Sequence, residues 1–310
     1  MIVILYGLCC VFYAAMQILM GTISVLNEKI FNYSPLAVTM FYINIFYPIN
    51  FIQYGYYYPF ENVIEMKWEH FKDISIASVI YNIECVATFW ALQYIPISFY
   101  IIGRTFTAFV NVLFSKYYLI KIISNWYYLG LTFLSLAYIL IALAYDNQNF
   151  NINEKISVLI IIASSFTTST YNNMAEKFFD DLSKESPEIM DEMRIKYRLV
   201  FNAYGFAFVG SGGLIMALYN DQFISDFGPN ILYVIAGLCY QTNILVKLFI
   251  LGSKNFSGNQ VLTCLDLGRR IVTNVIGYTF FGDYYNTMVV WGNIMIMFGC
   301  FFIMVGIIKN

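Results

Sequence analysis

Apolar residues in this chain come in blocks of about twenty, and that spacing constrains the fold more than any single motif. A helix rises about 1.5 Å per residue, so a block of about twenty covers the roughly 30 Å hydrocarbon thickness of a bilayer. Ten such blocks can be traced, at about 2–26, 35–55, 74–95, 98–116, 125–145, 156–178, 197–219, 229–252, 256–281 and 286–308. Composition agrees: 60% of residues are hydrophobic and 12% charged, where a soluble domain carries about 25% charged residues. The expected fold class is an all-α polytopic membrane protein, with ten transmembrane helices forming one integral domain in the lipid bilayer. The two longest connections, "YPFENVIEMKWEHFKD" and "DDLSKESPEIMDEMRIKYR", are polar. The net charge of −2 carries no message about partners, and no nucleic-acid partner is expected.

The first block has no basic leader and is longer than the apolar core of a signal peptide, so it is read as a retained span. All six cysteines (Cys9, Cys10, Cys85, Cys239, Cys264, Cys300) fall inside apolar segments and are expected to be buried thiols. No pair of cysteines or cluster with histidine has metal-ligand spacing, so neither metal nor cofactor is expected. His70 lies in a charged connection and is expected to be solvated.

Lysine and arginine placement sets an orientation. Connections after even-numbered spans, with their edges, hold Lys67, Lys72, Lys116, Lys121, Lys177, Lys184, Arg194, Lys196, Arg198, Lys247 and Lys254. Those after odd-numbered spans hold Lys29 and Lys155, a bias of eleven to two that places the even connections and both termini in the cytosol.

"GRTFTAFVNVLF" begins at Gly103 in span four, and "GRRIVTNVIGYTFF" at Gly268 in span nine. Gly103 stands 42 positions before Tyr145, at the end of span five; Gly268 stands 42 before the last residue. Spans four and five thus correspond to nine and ten, which makes the unit five helices: 1–148 and 149–310. Five is odd, so the units cross in opposite senses, as in transporters whose binding site lies between inverted halves.

Charge within these spans is the second constraint. Asp266, Arg269 and Arg270 lie in an apolar run, where each charge costs roughly 2.5–3.5 kcal/mol at a helix centre. Asn259, Thr263, Asp266, Arg270 and Thr273 follow steps of four and three, which puts them on one helix face. Tyr100, Arg104, Thr107 and Asn111 do the same in span four, as do Ser165, Thr168 and Asn172 in span six. Span eight carries Tyr240, Asn243 and Lys247, and span seven carries Asn202 and Tyr204. Two readings compete. Asp266 with Arg270, and Glu84 with Arg104, can neutralise one another; or the arginines face a shared aqueous cavity. A cavity with several arginines suits a phosphorylated organic anion, because the guanidinium fork matches phosphate oxygens and keeps its charge.

On these residues the chain resembles the drug/metabolite transporter superfamily, and within it the nucleotide-sugar transporters, in the branch of UDP-sugar and GDP-mannose carriers. "ALQYIPISFYIIGRTFT" is similar to that family's entry into its fourth helix, and "GRRIVTNVIGYTFFGDYYN" to its ninth-helix motif. "LVFNAY" resembles the seventh-helix motif that contacts the base, with Ala203 in place of its second asparagine. "LNEK" resembles the Asn–Lys closing the family's first helix. Arg269-Arg270 also echoes the Lys–Arg pair of the related sugar-phosphate translocators.

The resemblance implies an antiporter working by alternating access. It would bring a nucleotide sugar into the Golgi or endoplasmic reticulum lumen in exchange for a nucleoside monophosphate. The expected substrate-binding residues are Arg104, Thr107, Asn202, Tyr204, Asn243, Thr263, Asp266, Arg269, Arg270 and Thr273. The sugar, the choice between uracil and guanine, and a homodimer are left open. A sugar-phosphate translocator of the same fold is the alternative. An intramembrane lipid-modifying enzyme is disfavoured, because the sequence offers no catalytic histidine or diphosphate-binding acidic motif beside an apolar cavity.

Overall fold

The computed structural model describes residues 65–92, 94–95, 97–144, 151–205, 258–281 and 287–308, with further positions at 12, 15, 52, 54–59, 207, 242, 244 and 246–252. The expected spans at 2–26 and 35–55, the end of 197–219 and the start of 229–252 therefore lie almost wholly outside the described residues. Among the described residues the fold is all-α: seven long helices and no strand. They are α1 (Trp68–Leu92), α2 (Ile97–Tyr117), α3 (Asn125–Ala144), α4 (Ile152–Glu185), α5 (Met190–Tyr204), α6 (Gly258–Phe281) and α7 (Thr287–Ile308). Residues 246–251 are also helical.

The helices follow the expected apolar blocks but run further into polar sequence. α4 has 34 residues, about 51 Å at helical rise. It starts with a capping box: Asn151 accepts from the Glu154 amide at 2.9 Å, and Glu154 accepts from the Asn151 amide at 2.7 Å. The polar connection between spans six and seven reduces to Ser186 and a 3-10 turn at Pro187–Ile189. Charged residues on either side pair at helical spacing, with Arg194 on Asp191 at 2.6 Å and Lys196 on Glu192 at 2.8 Å. Such pairs favour helix where hydropathy alone suggests a loop. α1 likewise begins in polar sequence, at Trp68, and His70 belongs to it. His70 is half-buried, edge-on to the Phe178 ring at 5.5 Å, and so is not the solvated residue its charged neighbours suggested.

α4 lies between α1 and α2. Against α2 it runs parallel, in a register fixed by three polar pairs, each 62 residues apart in sequence. Ser165 donates to the Gly103 carbonyl at 3.0 Å, Ser169 to the Thr107 carbonyl at 3.3 Å, and Asn173 to the Asn111 side-chain oxygen at 3.4 Å. Gly103 permits the approach, because a Cβ there would meet Ile161 Cγ2 at 2.5 Å. Against α1 it runs antiparallel, with Tyr81 on Tyr171 near one end and Ala91 and Ile95 on Ile161 at the other.

α3 and α7 form a second, antiparallel pair. The buried positions of α7 include Val289, Gly292, Ile296, Gly299, Ile303 and Gly306, alternating by three and four, with Ile307 beside the last, the spacing of a left-handed helix seam. Glycines in the seam bring the backbones together: a Cβ on Gly130 would stand 2.7 Å from the Gly299 carbonyl oxygen, and one on Gly299 would stand 2.8 Å from Leu134 Cδ2. Outside the seam both helices present large apolar side chains, among them Leu136, Ile139, Leu143, Trp291, Phe298 and Phe301. Both are long and apolar enough to cross a membrane. The interior, in contrast, holds Asn111, Ser165, Asn173 and Glu176, all at 1% exposure or less. These polar side chains sit within a continuous apolar core that includes Tyr127, Leu134, Phe179, Tyr197 and Leu267.

Candidate binding site

Two polar clusters occupy the interior. One gathers Asn111 of α2, Asn173 of α4, and Asn259 and Thr263 of α6. Asn111 donates to the Thr263 hydroxyl and accepts from Asn259 at 3.1 Å. Beside it, the Glu176 carboxylate accepts from the Asn259 backbone amide at 3.2 Å, at the amino end of α6, where a negative charge is favoured. Lys121 pairs with the same carboxylate at 2.6 Å. This cluster ties α2, α4 and α6 together, with the Asn173 and Asn259 side-chain oxygens left buried without a hydrogen-bond partner.

The other cluster is charged, and it lies among α1, α2, α4 and the helical residues 246–251. Arg104 donates to Glu84 at 2.5 Å and to the Ser164 hydroxyl and carbonyl at 2.9 and 3.1 Å. Thr88 also donates to the same Glu84 oxygen, at 3.2 Å. Lys247 enters from the other side. Its ammonium donates to the Tyr171 hydroxyl at 2.6 Å. It stands 4.2 Å from the centre of the Tyr171 ring and 5.8 Å from that of Tyr81. Tyr81 in turn packs on Phe201 of α5, with ring centres 4.6 Å apart. Asp266 and Glu84 are the carboxylates that act on Lys247 electrostatically, and Arg104 acts on it as a like charge.

The two cations differ in how they are held. Arg104 has a carboxylate in direct contact. Lys247 has none within ion-pair distance among the described residues. Removing an ammonium from water costs several kcal/mol. Two aromatic faces return about 0.5–2 kcal/mol each and a charged hydrogen bond about 1.5–3 kcal/mol. Lys247 is therefore held, but not neutralised. On α2 and α4, the Thr107, Thr168 and Asn172 side-chain oxygens are buried without a hydrogen-bond partner. They fall within about one turn of each other along the α2–α4 contact, where Ser169 reaches the Thr107 carbonyl.

The sequence-expected residues distribute as follows. Arg104 and Asp266 share the charged cluster with Lys247. Asn202 is buried in α5, next in sequence to Phe201 and so to the aromatic wall of that cluster. Thr107 is buried one turn beyond Arg104, while Thr263 belongs to the asparagine cluster. Tyr204 is half-buried at the end of α5. Arg269, Arg270 and Thr273 lie in α6, but their side chains, like the whole of Asn243, are outside the described residues. The pairing of Arg104 with Glu84 is the structural alternative read from the sequence, and it is present. Sequence reasoning placed Lys247 with the cytosolic edge lysines and did not put it in the site. The signal was there in the polar stripe of span eight, which ends on it.

No family model and no curated protein matches the chain. Among solved structures, 24 chains are similar. One, described as "Crystal structure of protein", aligns with a TM-score of 0.63 at 12% sequence identity, over 95% of this chain and 94% of that one. The likeness is one of fold, and it runs nearly end to end in both chains.

Proposed function

We propose that this chain is a ten-helix integral membrane transporter, built from two inverted five-helix repeats, that exchanges a nucleotide sugar for a nucleoside monophosphate. The observation that carries the reading is the charged cluster: Arg104 and Glu84 are buried, with Lys247 and Asp266 half-buried beside them, in a fold whose α3 and α7 present apolar side chains outward. With Arg269 and Arg270 added from the helix of Asp266, the proposed site sets Arg104, Lys247, Arg269 and Arg270 against Glu84 and Asp266. An excess of two positive charges suits a phosphorylated anion, and it makes the empty cavity costly. Exchange follows, because reorientation is easier with an anion bound.

The repeat has its own support. Gly103 and Gly268 are 165 positions apart, and the same shift carries Leu134 to Gly299. Those two residues meet each other in the α3–α7 seam, as equivalent positions must where a two-fold axis passes. The antiparallel course of α3 and α7, and the parallel course of α2 and α4, suit the alternating crossings of this topology. The Golgi or endoplasmic reticulum membrane, with both termini in the cytosol, rests on the lysine and arginine bias and the family resemblance.

Counterflow into liposomes tests the reading. Vesicles containing the purified protein are preloaded with UMP or GMP and offered a panel of UDP- and GDP-sugars. Uptake is expected only into preloaded vesicles. Uptake no greater than into protein-free vesicles for every pair would remove the proposal. Exchange of sugar phosphates against inorganic phosphate alone would move it to the sugar-phosphate translocators.

A further inference from the structure

Resting on that transport reading, we infer that Lys247 is the side chain that takes the phosphate group of the bound nucleotide, and that the Tyr171 hydroxyl is its placeholder when no anion is present. Three observations converge. Lys247 is a half-buried ammonium held by a phenol and two ring faces, with no carboxylate in contact among the described residues. The neighbouring cation, Arg104, is already committed to Glu84 and Ser164, and Glu84 to Arg104 and Thr88. On the same helices, α2 and α4, stand buried oxygens of Thr107, Thr168 and Asn172 without hydrogen-bond partners, Asn172 being next in sequence to Tyr171. An ammonium offers three donors, and one of them is on Tyr171. A phosphate oxygen arriving in the cluster competes for the others. Because the carboxylates of the cluster are not in contact with Lys247, the anion has no ion pair to break there. The hydroxyls of Thr107 and Thr168 are free to donate to further phosphate oxygens. Tyr81 and Phe201 then form an aromatic wall beside the anion, on the side from which Asn202 follows in sequence.

The experiment uses the full chain in detergent and measures the thermal stabilisation produced by UMP, GMP, inorganic phosphate, and uridine or guanosine. Lys247→Met removes the charge and keeps the length. It is expected to weaken the nucleotides and inorganic phosphate by about tenfold or more, and to leave the weak response to the bare nucleosides unchanged. Lys247→Arg should recover part of the loss. Tyr171→Phe releases the ammonium, so phosphate-bearing probes should bind at least as tightly as to the wild type, which a purely structural Lys247–Tyr171 bond would not produce. Wild-type affinity in Lys247→Met would overturn the assignment while leaving counterflow, and hence the transport reading, intact. If Lys247→Met does not fold, Tyr171→Phe decides: loss of phosphate binding in that variant overturns the inference. A wild-type protein that neither responds to any of these anions nor exchanges them removes both proposals.

Discussion

Arg104 and Glu84 show what a buried charge needs in order to be structural. Glu84 is 5% exposed and Arg104 7%, and each has the other as its ionic partner. Breaking such a pair from one side leaves a charge facing a low-dielectric interior, at about 3–5 kcal/mol, whereas replacing both sides by apolar groups costs far less. Glu84→Gln is therefore expected to lower the unfolding temperature of the purified protein severely. Glu84→Leu combined with Arg104→Met should restore most of the loss. A Glu84→Gln protein that melts with the wild type would show that the pair does not hold α1 to α2. At this scale the sequence was legible where charges stood at complementary depths, as for Glu84 with Arg104. It was less legible where a cation's partners were aromatic, because a tyrosine can face in any direction without penalty and leaves no spacing rule behind. Lys247 is the example, since periodicity marked its helix face and nothing marked Tyr171 as its neighbour.

Elements add constraints that no single side chain carries. α2 ends at Tyr117, and the chain turns through Ile120, whose φ is +53°. That left-handed conformation is uncommon for any residue with a Cβ and worst for a β-branched one. Ile120 is 85% exposed, so its side chain offers little packing in return. The turn does place Lys121 on Glu176. Ile120→Gly should keep that contact and raise stability by up to about 1 kcal/mol in denaturant melts, the backbone relief exceeding the extra entropy of a glycine in the unfolded chain. A lower melting point would mean that the isoleucine is held by contacts of its own. Glycines divide in a similar way. Gly130→Ala pushes a methyl against the Gly299 carbonyl, which cannot swing aside, and should cost about 1–3 kcal/mol. Gly268→Ala meets nothing within 4 Å and should be neutral or gain up to about 1 kcal/mol from helix propensity. Equal losses at the two positions would refute the contrast. The repeat motif made these glycines look alike: Gly103, the counterpart of Gly268, is tightly packed against Ile161. Hydropathy located the helices because burial in apolar surroundings selects for it. It misplaced the ends of α1, α4 and α5, and in α4 and α5 helical ion pairs accompany the extension beyond the apolar block.

For the whole molecule, the α3–α7 seam has a mechanical consequence. One helix comes from each proposed repeat, and at the glycines their backbones meet closely, with Leu134, Ile141 and Ile303 packed into the seam and Phe133 stacked on Phe302 beside it. A contact of that kind tolerates small rotation and resists sliding, since a shift of one residue would drive Leu134 or Ile141 into the opposite main chain. On the proposed two-repeat architecture, the halves therefore do not part like a clamshell along this line. If the interior opens alternately to either side, it does so by swinging about a post that stays where it is. Leu134→Cys with Gly299→Cys puts a covalent pin through that post. Oxidising the pair in vesicles should leave counterflow within about twofold of the reduced protein, a difference of less than about 0.5 kcal/mol. Arrest on oxidation would show that the post itself travels. The glycines would then be the track on which the two repeats move, rather than the axle about which they turn.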